Sequence, residues 1–158
     1  MTSMDEVRWL SVLRRYLVIM VPGSLEGLDG HLFAARASNE SLTKLEHELK
    51  RYEKSAKSRD VDEVLDALNA FYDIIFRGCG NDIARNVILS LRARIQFLRT
   101  TTLLRQSDAD TDVSIQNFYR ILETVNTRNP RATDEACVAQ VHHAASVALK
   151  VLHETRER

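Results

Sequence analysis

The sequence predicts an all-α fold, an antiparallel helical bundle of six to seven helices, and three observations predict it. Punctuation is sparse: 158 residues hold only two prolines and five glycines, the residues that most often interrupt regular structure. Apolar residues recur at helical spacing through most of the chain. No segment alternates apolar and polar residues for long enough to make a half-buried strand. Helices that each carry one apolar stripe must bury it against one another, and short turns between them give a bundle.

The elements follow in order. Residues 1–20 read as a first helix with Trp9, Leu13 and Leu17 among its apolar positions, and Val21-Pro22-Gly23-Ser24 as the connection after it. The apolar run Leu17–Val21 is far shorter than the ~20 residues that span a bilayer, and the small-residue cleavage site of a signal peptide is missing. Leu42, Leu45, Leu49 and Tyr52 make the next stripe, opened by Ser38 or Asn39. Val61, Val64, Leu65, Leu68, Phe71, Tyr72 and Ile75 make another. Asp60 suits its N-cap, with Glu63 three residues on. Ile83, Val87, Leu91, Ile95 and Leu98 form a third stripe, and Ile115, Phe118, Leu122 and Val125 a fourth. Thr133 is the expected cap of the last helix, which carries Val138, Val141, Ala145, Ala148 and Leu152, with Asp134 and Glu135 near its positive end. Ser55–Asp60 and Arg105–Thr111 read as looser polar connections.

The segment Gly78-Cys79-Gly80-Asn81 lies between two of these stripes. Glycine suits the left-handed residue after a helix end and asparagine the next N-cap, so it reads as a helix-to-helix corner. Arg77 close to Cys79 would favour a thiolate, but no histidine is near in sequence, and the corner is the preferred reading.

Composition sets further bounds. Hydrophobic residues are 44%, charged residues 28%, and the formal net charge is zero. A general nucleic-acid binder shows a basic surplus instead. Cys79 and Cys137 form neither a CxxC pair nor a zinc-ligand spacing, which suits a reducing, cytoplasmic setting. No nucleophile–base pair, phosphate loop or paired-carboxylate motif stands out, so no enzyme is expected.

Three segments in order carry a resemblance. LEGLDGHLFAARAS (Leu25–Ser38), ALNAFYDIIFRGCGN (Ala67–Asn81) and SIQNFYRILETVNTRNPRATDEACVAQV (Ser114–Val141) resemble the FadR C-terminal (FCD) domain, the effector-binding half of GntR-type transcription regulators. The resemblance covers about Leu25 to Leu152. It implies an antiparallel bundle around an internal pocket, in which many members hold a divalent metal through an Asp and three His. Carried over residue by residue, the Asp position falls on Leu68, and the His positions on Tyr72, Phe118 and Gln140. None is a usual ligand of such a metal, so no metal and no cofactor are expected. A three-residue register shift would bring His143 to the third His position without restoring the others. His31, His47 and His153 lie outside the motif.

What remains is a pocket lined by Leu68, Tyr72, Phe118 and Gln140, either still open or filled by its own side chains. Arg94, at the edge of the apolar arc of its helix, is the residue expected to meet an anionic effector. The resemblance implies a ligand-sensing, dimerising module for a small organic acid or acyl effector, acting as a homodimer. DNA would be contacted only through a winged-helix domain, which the 24 residues before Leu25 are too few to hold. The alternative is a stand-alone dimerisation or interaction module, with an exposed apolar stripe on the first helix and no effector. A void of about 300 Å³ or more would support sensing.

Overall fold

The computed structural model describes residues 25–154, and the expected first helix and its connection fall outside them. Among the described residues there are six helices and no strand: α1 (25–36), α2 (Asn39–Ser58), α3 (Val61–Cys79), α4 (Asp82–Leu103), α5 (Asp108–Asn126) and α6 (Pro130–Glu154). Helix α2 packs against α3 and α5, α5 against α6, and α4 bridges α3 and α6. None of these helices is long and apolar enough to cross a membrane.

The helix ends follow local chemistry. Ser38 caps α2 by accepting from the Ser41 N–H, Asp60 caps α3 by accepting from Glu63, and Asn81 caps α4 by accepting from Ala84. Such caps satisfy backbone donors that the first helical turn leaves free. Gly80 takes a left-handed φ of 71° after α3, where a side chain would be strained. Gly80 and Asn81 are therefore the turn between α3 and α4, while Gly78 and Cys79 form the last residues of α3.

Two boundaries differ from expectation. Helix α6 begins at Pro130, not at Thr133. Asn129 accepts from the Ala132 N–H through its side chain, and proline at the first helical position is already set for the helix. Thr133 lies inside the helix, fully buried, with its hydroxyl donating to the Asn129 carbonyl. Helix α5 begins at Asp108, within the stretch expected as a connection, because Ser107 caps it and Asp108 and Asp110 occupy its first turn.

The core gathers Phe33, Leu45, Leu49, Tyr52, Phe71, Phe118, Ile121 and Val125, each at most 2% exposed. Three of its rings meet edge to face: Tyr52 with Phe118 at 5.0 Å and Phe71 with Phe118 at 5.2 Å between centroids. This geometry suits ring quadrupoles. Helix α4 departs from its predicted stripe. Ile83 is 80% exposed and Val87 is also exposed, whereas Ala84 and Leu98 are buried and Leu91 and Ile95 are half-buried. The helix is rotated so that the line from Ala84 to Leu98 faces the bundle.

Helix α1 lies close on α6. A Cβ on Gly30 would stand 2.7 Å from the Cys137 sulfur, and one on Gly27 3.1 Å from a Val138 methyl. Phe33 presses on Gly78 of α3, and the Arg36 guanidinium donates to the Cys79 carbonyl at 2.9 Å. Asp29, fully buried, accepts from the Asn81 amide at 3.0 Å and the Cys79 thiol at 3.5 Å. These contacts tie α1 to the α3–α4 corner.

Candidate functional site

Two hollows share one wall. The inner cavity lies among α1 to α6 and measures about 110 Å³. Leu68 and Tyr72 of α3, Phe118 of α5 and Gln140 of α6 line it together. These four positions, distant in sequence, are brought to one place. Arg94 is not among the lining residues and is exposed. Arg99, later on α4, stands at the wall instead, its guanidinium carbon 5.0 Å from the Tyr72 ring centroid, a cation–π distance.

The polar groups of the cavity form two sets. On one side the Ser114 hydroxyl oxygen accepts from the Tyr52 hydroxyl at 2.8 Å and from the Gln140 amide at 3.0 Å. The Gln140 Oε1 is buried without a partner. On the other side Glu26 of α1, 8% exposed, lies beside Tyr72 and Arg99. Burial pushes the Glu26 carboxyl above its ordinary range; the Arg99 charge and the Tyr72 hydroxyl oppose this without reversing it. Burial likewise holds the Tyr72 phenol well above its usual value, helped by the nearby Glu26 charge, so Tyr72 is a neutral donor.

The donor set does not fit a divalent metal. Leu68 and Phe118 have no donor atom, and a neutral phenol and a carboxamide are poor ligands. His143 does line the cavity, but its Nε2 is 3.0 Å from the Asp110 carbonyl oxygen. Among the described residues no group of three His, Cys, Asp or Glu side chains is placed to hold a metal ion. The two thiols are not poised for chemistry either. Burial raises Cys79, and it raises Cys137 strongly, so both stay protonated.

The remaining space is below the ~300 Å³ of a drug-sized pocket. The aromatic side chains fill much of the hollow, yet a cavity of comparable size, ~150 Å³, holds a benzene molecule. The outer hollow is a groove of about 340 Å³ between α3 and α4. Glu26, Tyr72, Ile95 and Arg99 line both, so they form the partition between them.

Sequence reasoning missed Glu26, Tyr52, Arg99 and Ser114. Arg99 had one local signal: it follows Ile95 by one helical turn and adjoins Leu98. Tyr52 and Ser114 meet across 62 positions, and no local pattern announces that.

The FCD domain family profile matches residues 19–143. Among curated proteins, none matches the chain.

Proposed function

The chain belongs to the FCD family, the effector-binding and dimerisation module of GntR-type transcription regulators, and from that premise we propose that it senses a small organic acid or acyl effector without a metal. DNA recognition in such a regulator belongs to a winged-helix domain. The observation that carries the proposal is the buried, unpartnered Gln140 Oε1 in a cavity lined from several helices. A buried acceptor without a partner costs about 1–3 kcal/mol, and a bound donor removes that cost.

The cavity selects for size and polarity. It offers the Gln140 acceptor, the Ser114 hydroxyl and the Arg99 cation within an apolar lining. A protonated acid or a carboxamide carries the matching donor and acceptor on one carbon. The volume admits only a few heavy atoms. Binding that favours one of two subunit arrangements shifts a dimer between them.

A thermal-shift screen of the purified chain with small acids and acyl amides, with and without chelator, tests this. A ligand at 100 times its Kd adds ~2.7 kcal/mol, on the order of 5–10 °C at this size. A shift that survives chelator and disappears in Gln140→Leu is expected. A shift that requires added metal would overturn the metal-free reading.

A second reading rests on the outward face of α4. Ile83, Val87, Phe97 and Leu104 are exposed, and their spacing places them along one side of the helix. The expected apolar stripe on the first helix lies outside the described residues. A dimerisation module without an effector would use such a face. If so, Phe97→Asp dissociates the dimer in sedimentation equilibrium, and no acid shifts the melting temperature.

A further inference from the structure

We propose that the outer groove between α3 and α4 is a second ligand site, which takes the carboxylate of a small molecule with an apolar body. This site lies outside the inner cavity, with which it shares only the partition of Glu26, Tyr72, Ile95 and Arg99, and does not rest on the effector reading of that cavity. The groove is about 340 Å³, within the size of small-molecule sites.

Its charges are unequally paired. Of the acids on its wall, Asp73 is paired with Arg77 at 2.6 Å, and Asp66 with Arg51 at 2.8 Å. Arg51 also holds Glu48 and Glu63, so the lining, three acids against Arg77, Arg85 and Arg99, is balanced in charge, and Arg85 and Arg99 are the two of its arginines not ion-paired to Asp66 or Asp73. The Arg85 Nε is buried and has no hydrogen-bond partner. That N–H has almost no accessible surface, so an anion in the groove reaches it through a shift of the Arg85 side chain, after which the guanidinium fork matches a carboxylate in two bonds.

The rest of the groove explains the body of the ligand. Phe76, Ile88, Leu89 and Ile95 supply apolar wall, while Asn69 and Gln96 bridge α3 to α4 at 3.4 Å. A bare inorganic anion would leave that wall wet. An aryl or short acyl chain covers it and places its acid against the arginines. The partition adds a link between the two hollows. Arg99 stacks on Tyr72, so a carboxylate that draws Arg99 outward uncovers the ring that closes the inner cavity.

The test is an amide-detected NMR titration of the whole chain with benzoate and hexanoate, each against its neutral amide. Saturable shifts in α3 and α4 are expected from the acids, at least about ten-fold tighter than from the amides. Arg85→Gln should weaken acid binding on the order of ten-fold, the value of a lost charged hydrogen bond. Arg85→Lys should restore part of it, and Gln140→Leu, which alters the inner cavity, should leave it unchanged. Failure of both acids to saturate, equal binding of acid and amide, or unchanged affinity in Arg85→Gln would each overturn the proposal. Loss of acid binding in Gln140→Leu but not in Arg85→Gln would move the ligand to the inner cavity and leave the effector reading intact.

Discussion

Replacing Ser114 with alanine should destabilise the protein far more than its size suggests. The side chain loses one oxygen, but that oxygen is the acceptor for both Tyr52 and Gln140. Tyr52 is 2% exposed and Gln140 5%, so neither donor can turn to bulk water. Each orphaned donor costs about 1–3 kcal/mol, which gives on the order of 2–6 kcal/mol for the pair. Total stability of a domain is ~5–15 kcal/mol, so the loss is a large share of it. At this chain length it lowers Tm by on the order of 5–15 °C. Urea unfolding of Ser114→Ala, Tyr52→Phe and the double variant measures it. The double variant should lose less than the sum, because Tyr52→Phe removes one of the two orphans, with a coupling of about 0.5–3 kcal/mol. A loss in Ser114→Ala below about 1 kcal/mol, with additive singles, would refute the reasoning. It would show water entering the cavity to serve both donors.

Two further outcomes are expected. Alanine normally stabilises a helix over glycine by up to ~1 kcal/mol, but Gly78→Ala in α3 should destabilise by about 1–3 kcal/mol. Its methyl would run into the fully buried Phe33 ring, and the midpoint of urea unfolding reads the sign directly. The pH dependence of stability should lessen in Glu26→Gln. Burial lifts the Glu26 carboxyl above 4.5 and that of Asp29 above 3.8. The folded state thus holds these protons more tightly than the unfolded chain. The stabilisation they give is complete below the ordinary values and is lost as pH rises through the raised ones. Glutamine keeps position 26 neutral throughout, so stability should fall less between pH 4.5 and neutrality than in the parent chain, with the Asp29 contribution retained in both. Parallel stability curves for the two proteins would count against it.

The helices were legible because each is written twice, once in an apolar period and once in its caps. Asp60, Asn81 and Ser38 announce starts that the structure keeps. Where two caps competed, the reading failed: Thr133 has the right side chain, but Asn129-Pro130 lies one turn earlier. On α4 the sequence carries two overlapping stripes, one through Ile83 and Val87, the other through Ala84 and Leu98. Only packing against α3 and α6 chooses between them. That choice decides which arginine faces inward, so Arg94 was named and Arg99 was missed. Four of the five named pocket residues share the cavity, because the resemblance supplied their register across helices. The polar partners that complete it, Glu26 and Ser114, are set by contacts between distant segments.

Helix α1 carries Glu26 on the partition near one end and Phe33 with Arg36 on the α3–α4 corner near the other. Glu26 and Phe33 are seven residues apart, about 10 Å along a helix axis. Glycines set against α6 leave little slack for the segment to tilt inward. It therefore acts as a short rigid rod seated at both ends. A displacement of Glu26, at the amino-terminal end of this rod, would be carried to the turn that starts α4 rather than absorbed within α1.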